Sequence, residues 1–260
     1  IFMYGVGNIV KHNFIHDLPH TALFFWGNEH LMEYNEIYRV CMETGDAGAF
    51  YNGRDWTQRG SVIRYNYFHD LHGVEGQSGW NEVMAIYLDD WSSGATIFGN
   101  VFYKAGRTVM IGGGRDNLVE NNVIIDGNPA IHVDSRGMGW ASTYFDGSNN
   151  TLFERLNAID PDHPPYSVAY PDLAGIPKNQ PALPKGNRII KNISSGGNWK
   201  ELLNKETEPL VFFKDNRINI DRKYLLSKDN RIDIQYDSIE IPQGFQRIPF
   251  EMIGLNKVGK

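Results

Sequence analysis

The sequence predicts an all-β fold, a right-handed parallel β-helix of about 22 residues per minimal coil with loop insertions at its corners. Three observations point there. First, a short pattern of two apolar residues, two variable ones, an Asn, a variable residue and another apolar one recurs. Its Asn falls at Asn13, Asn35, Asn66, Asn100, Asn122 and Asn192, with a weaker copy at Asn216. The gaps are 22, 31, 34, 22, 70 and 24 residues, a constant minimum lengthened by insertions, as in a solenoid. Second, aromatics make up 13% of the chain and Gly is abundant at 27, a mixture suited to short strands and tight turns. Third, no convincing 3.6-residue apolar stripe occurs before residue 198, and the best helical candidate is only 198–204.

Each repeat contains two readable strands. The first ends at the Asn, which tolerates the left-handed backbone of a sharp corner and can stack into a hydrogen-bonded ladder. The repeated Asn residues are therefore read as scaffold. The second strand begins with a small residue, as in Ala22-Leu23-Phe24-Phe25, Ala49-Phe50-Tyr51-Asn52, Ala85-Ile86-Tyr87-Leu88, Val109-Met110-Ile111-Gly112 and Ala130-Ile131-His132-Val133. Strand alternation puts Leu23, Phe50, Ile86, Met110 and Ile131 in the core. Phe24, Tyr51, Tyr87, Ile111 and His132 then face outward, followed by Trp26, Gly53, Asp89, Gly113 and Asp134. A 22-residue turn accommodates three short strands in all.

The β-helix is expected over 1–216, with a long insertion at 135–186 whose five aromatics favour an ordered flap against the solenoid flank. Residues 217–260 lose the repeat and are expected to form a C-terminal cap or tail. Position 1 is Ile and no capping sequence precedes it. A solenoid covers its open apolar ends, so further coils or another domain are expected upstream.

The charge balance, 25 Lys+Arg against 31 Asp+Glu for a net −6, disfavours nucleic acid as a partner. No apolar run approaches the length of a membrane span. Cys41 is the only cysteine, so no internal disulfide can form.

Candidate chemistry gathers beside the second strand. Insertions at 40–48 and 72–83 share one rim and carry Glu43, Asp46, Trp80 and Glu82. The opposite rim carries Arg54, Asp55, Trp56, Asp89, Asp90, Trp91, Arg115 and Arg136. Glycoside hydrolysis needs two carboxyl groups, about 5–5.5 Å apart for retention or 6.5–9.5 Å for inversion. Asp46, Asp89 and Asp90 are the catalytic candidates, with one of the adjacent pair aimed at the site and the other capping its turn. Asp46 reads equally well as a corner residue. Tyr51, Tyr87, Trp56, Trp80 and Trp91 are candidates for stacking on sugar rings, and Arg54, Arg107 and Arg115 for clamping a carboxylate or hydroxyls. For Arg115 a salt bridge to Asp116 is the simpler reading. Glu82, His132 and Asp134 complete the substrate-binding candidates. His132 and Asp134 lie two residues apart on one face, but no third ligand has metal-site spacing, so no metal or other cofactor is assigned.

The segments Glu43-Thr44-Gly45-Asp46-Ala47-Gly48-Ala49-Phe50-Tyr51, Gly53-Arg54-Asp55-Trp56, Tyr87-Leu88-Asp89-Asp90 and Ile111-Gly112-Gly113-Gly114-Arg115-Asp116-Asn117 together resemble carbohydrate-active parallel β-helix proteins of glycan-degrading bacteria. The chain resembles glycoside hydrolase family 141 over about residues 1–136. That resemblance implies a secreted or periplasmic glycosidase acting on a plant or algal polysaccharide. The repeat alone is shared with pectate lyases, polygalacturonases and tailspikes, so it specifies fold and not chemistry. A polysaccharide lyase, with Lys104 or Arg107 as base and Ca²⁺ as cofactor, and a non-catalytic glycan-binding solenoid are the alternatives. The acidic character of the strip ranks hydrolysis first.

Overall fold

The computed structural model describes residues 1–74, 82–203 and 206–255. Three parallel sheets wind around one apolar core. The first sheet stacks strands Phe2–Met3, Leu23–Phe25, Ala47–Asn52, Val83–Leu88, Arg107–Gly112, Ile131–Asp134 and Lys200–Leu202. The second has seven strands, from Ile9–Lys11 to Val211–Lys214, and the third has six, from Phe14–His16 to Ile193–Ser195. Every coil contributes inward residues such as Leu23, Phe50, Ile86, Val109 and Ile131 to the core, all fully buried. Phe50, Phe68 and Phe102 pack against one another at its centre, edge to face and then stacked, at 4.9 and 5.2 Å between centroids.

The Asn ladder forms at the corner between the second and third sheets. From Asn13 through Asn216 each Nδ2 donates to the Oδ1 of the next Asn, at 2.8 to 3.1 Å. The left-handed residue of this corner is not the Asn but the one before it. His12, Tyr34, Tyr65, Gly99, Asn121, Lys191 and Asp215 have φ of 55°, 56°, 54°, 63°, 63°, 53° and 54°. The left-handed turn at that residue leaves the following Asn side chain directed inward, onto buried carbonyls. Asn100 accepts from both the backbone and side-chain nitrogens of Asn66 and donates to Ile63 and Asn122. Asn100→Ala orphans these buried groups at about 1–3 kcal/mol each. A loss of about 3 kcal/mol in urea unfolding is expected; a loss below about 0.5 kcal/mol would show that the ladder is dispensable.

The structure corrects two further expectations, the register at Met110 and the helix near residue 200. Tyr87 pairs with Met110, and Leu88 with Ile111. Met110 therefore faces outward beside Tyr87 while Val109 and Ile111 enter the core, one residue out of the register read from the sequence. A one-residue slip exchanges the faces of every side chain, and the run Val109-Met110-Ile111 is apolar on both faces, so alternation could not fix it. The segment expected to be helical over 198–204 is not helical over its described residues, 198–203: Lys200–Leu202 joins the first sheet beside Ile131–Val133. The 135–186 insertion holds a helix, Thr151–Ala158, and several short helical turns. It folds onto the flank over Trp56 and Trp91, with Leu152, Leu156, Leu173 and Ile176 buried against them. Residues 217–255 run as a strap along the third sheet, burying Leu225, Leu226, Phe245 and Ile248 on Val101, Val123 and Ile193. The strap reaches back to the first coils, where Gly254 N donates to Tyr34 O.

Candidate functional site

The outward face of the first sheet carries a pocket of about 390 Å³ lined by Asp46, Arg54, Tyr87, Asp89, Asp90, Arg136 and Trp140. Its floor is set by strand register. Tyr51 and Tyr87 occupy equivalent positions on adjacent coils, and their rings meet edge to face at 5.4 Å. Gly53 follows one strand and Asp89 the next, and the Cβ of a larger residue at Gly53 would stand 3.1 Å from Asp89 Cβ.

Asp46 enters from the other rim. It has a left-handed backbone, φ 47°, and its carboxylate accepts from the Tyr87 hydroxyl at 3.0 Å. Gly48 makes this approach possible: any Cβ there would lie 2.6 Å from Tyr87 Cβ. Asp89 is the second acid against Tyr87, and its charge is the largest effect on that phenol after burial, both pushing its pKa up. Asp46 and Asp89 thus both bear on one phenol and line the same pocket. Asp46 opens to the pocket mouth, yet partial burial holds its pKa above the ordinary carboxylate value. The Tyr87 hydrogen bond works against that rise, and the nearby Asp89 charge adds to it.

Asp89 accepts from Tyr51 at 2.8 Å on one oxygen and from Arg136 at 2.5 Å on the other. The same Arg136 Nη1 donates to Asp90 at 2.7 Å, while Nε and Nη2 grip Asp134 at 3.0 and 2.8 Å. Arg136 is thus a buried cation among three carboxylates drawn from two coils. Its neighbours push its pKa up against the burial that would lower it. Asp134 experiences burial as a raising force, but its His132 and Arg136 bonds prevail and hold it at about 2.

Both members of the Asp89-Asp90 pair face this cluster, contrary to the expectation that one would turn away. The left-handed φ of 28° at Asp90 re-aims a side chain that an extended strand would send to the opposite side. Arg54, also left-handed, closes on Asp90 with its Nε at 2.9 Å.

Gly112 lets Arg136 reach the earlier coil. A Cβ at Gly112 would lie 2.3 Å from Arg136 Nη2 and 2.4 Å from Cζ. Gly112→Ala is expected to preserve the coil, because its φ is not left-handed, while pushing Arg136 off Asp89. The check is a crystal structure of the variant; an unmoved Arg136 would contradict this role for Gly112.

The other candidates are placed elsewhere. Trp56 and Trp91 are fully buried beneath the insertion, Trp56 beside Phe145 and Phe153 and Trp91 against Tyr144 and Phe145, with no face open to a sugar. Trp80 lies outside the described residues. Arg107 and Glu82 sit at the starts of their strands, away from the pocket, whereas His132 lies in the Tyr87 row two coils on, through Met110. Arg107 lies 3.3 Å from Glu82, 3.1 Å from Glu201 and 2.9 Å from His132 Nδ1. His132 reaches the acidic cluster through Asp134, at 3.8 Å. Lys104 borders a different cavity with His72, Glu82 and Asp126. Among the described residues no group of three His, Cys, Asp or Glu is arranged to hold a metal ion, and no helix is long and apolar enough to cross a membrane.

Two pocket residues were not among the site candidates. Arg136 was legible only as the second residue after the outward Asp134. Trp140 is 72% exposed, with the Arg136 guanidinium 5.4 Å from its ring, and it offers the pocket an aromatic surface that Trp56 cannot.

Three stacked parallel sheets with an outward acidic pocket define a right-handed parallel β-helix protein. Residues 1–124 match the family described as "Right handed beta helix region". No curated protein and no solved structure matches the chain.

Proposed function

We propose that the protein is a glycoside hydrolase acting on a complex polysaccharide of plant or algal type, with Asp46 as general acid and Asp89 as the partner carboxylate. The observation that carries this reading is the pairing of two acids in unlike environments about one phenol. Asp46 has a raised pKa, whereas Asp89 accepts donors at both oxygens as a carboxylate does. Such a pair can protonate a glycosidic oxygen from one side while the other acid either attacks the anomeric carbon or takes a proton from an attacking water. Tyr87 orients Asp46, Tyr51 and Arg136 orient Asp89, and Trp140 supplies a face for a sugar ring.

The acidic-strip resemblance to glycoside hydrolase family 141 agrees with this role, and a polymeric substrate fits a secreted or periplasmic setting. The lyase reading is weaker because its candidate bases, Lys104 and Arg107, lie away from the acidic pocket. The test is an assay of plant and algal glycans that follows new reducing ends alongside ultraviolet absorbance of unsaturated products. Reducing ends without absorbance are expected. Absorbance, or binding without turnover, would overturn the proposal.

A further inference from the structure

A second cavity, of about 510 Å³, lies where the corner after the first sheet meets the insertion. It shares no lining residue with the acidic pocket. Its wall carries Arg115, only 3% exposed. A salt bridge to the adjacent Asp116 is the simple expectation for this residue, but the structure gives that carboxylate to another partner. Arg59 Nη2 donates to Asp116 Oδ2 at 2.8 Å, and Arg115 Nε stands 3.8 Å from the same oxygen. The remaining contacts of the Arg115 guanidinium are long: Nη1 and Nη2 both reach Asn179 O, at 3.3 Å.

A guanidinium has five N–H donors in a planar fork, and a buried cation without full pairing is costly. Burial accordingly holds the Arg115 pKa below its ordinary value, partly offset by Asp116. The surroundings do not supply the missing acceptor. Arg59 is a second buried cation, and Lys185 stands nearby, donating to Asn179 Oδ1 and Gln180 Oε1 at 2.7 and 3.1 Å. Asp172 is the one further acid on the wall, and it is exposed.

We propose that this cavity is an oxyanion-binding site in which the Arg115 fork holds a carboxylate, sulfate or phosphate group bidentately. Such a ligand would complete the pairing that Asp116, engaged by Arg59, does not provide. Planar forked recognition is what distinguishes arginine from lysine at such sites. The site does not depend on the proposed hydrolysis, and its test does not use turnover.

The experiment is calorimetric titration of the protein with sodium sulfate, digalacturonate and neutral cellobiose at constant ionic strength. Both anions, or one of them, are expected to bind while cellobiose does not compete for the site. Sulfate alone would indicate a free inorganic anion, and tighter digalacturonate would indicate an acidic group carried on a glycan. Arg115→Met and Arg115→Lys are expected to weaken binding by about tenfold or more, the scale of one charge-assisted hydrogen bond. Asp172→Asn, on the exposed wall, removes a repelling charge and is expected to tighten binding about twofold to threefold. It keeps the test decisive if the buried-site variants do not fold. Failure of both anions to bind the wild-type protein, undiminished binding in Arg115→Met, or no change in Asp172→Asn would overturn the assignment.

Discussion

Asp46→Asn is expected to lower kcat on the cleaved glycan by about 10³-fold while leaving KM nearly unchanged, within the range contributed by a positioned general acid. The amide keeps the shape of the side chain and its acceptor for Tyr87, so substrate contacts survive and only the proton is lost. Asp89→Asn is expected to produce a loss of similar size, because an amide can neither attack nor take a proton. The two losses should not add fully, since both acids serve one transition state. The distinguishing signature lies in pH. As the proposed general acid Asp46 would act protonated, so activity is expected to fall as pH rises through its raised pKa. A leaving group that needs no protonation, such as a nitrophenolate, should restore much of the Asp46→Asn rate and little of the Asp89→Asn rate. Equal rescue of both would exchange or void these roles.

Arg136→Met is expected to be the most destabilising single change at the site, costing about 3–5 kcal/mol at neutral pH. It leaves Asp89, Asp90 and Asp134 buried together without their common cation. The pH dependence has a definite sign. Asp134 titrates at about 2 in the folded protein, below its unfolded value of 3.8. Its contribution is therefore full above the unfolded value and is lost as pH falls toward about 2. In Arg136→Met the three acids repel and protonate more readily, so the gap from wild type should be widest near neutrality and narrow on acidification. Urea unfolding at about pH 7 and about pH 3.5 measures it. A gap that widens in acid would contradict the account of the cluster.

The coil was legible because its corner uses the same residue each time. An Asn whose amide pairs with backbone of the preceding coil and with the Asn side chain of the next is not easily replaced, so the Asn13-to-Asn216 register survives in the sequence despite insertions. That register also brought Tyr51, Tyr87 and Asp89 together correctly. It failed at Val109-Met110-Ile111, where both faces of the strand are apolar. The contacts that organise the pocket depend on features that alternation does not encode. The left-handed turn at Asp90 aims two consecutive acids the same way. The bare Cα of Gly112 opens a passage between coils. Trp56 looked like a sugar platform on the rim, but the insertion folds over it, and burial by a segment about 90 residues later in the chain has no local signature.

The same geometry explains why the acids differ. Asp46 reaches the pocket from a loop and meets one phenol donor in a partly closed wall. Asp89 is rooted in a sheet and is gripped from two sides. Unlike environments for two neighbouring acids are what acid–base chemistry at a glycosidic bond requires.

The most direct test of this account is the pH dependence of kcat/KM on a responsive glycan, measured for wild type and for Asp46→Asn. The account predicts for the wild type an alkaline limb set by the raised pKa of Asp46, and a variant with a much lower rate that has lost that limb. A variant that keeps both the wild-type rate and its alkaline limb would contradict Asp46 as the acid, and with it the two-carboxylate reading of the pocket.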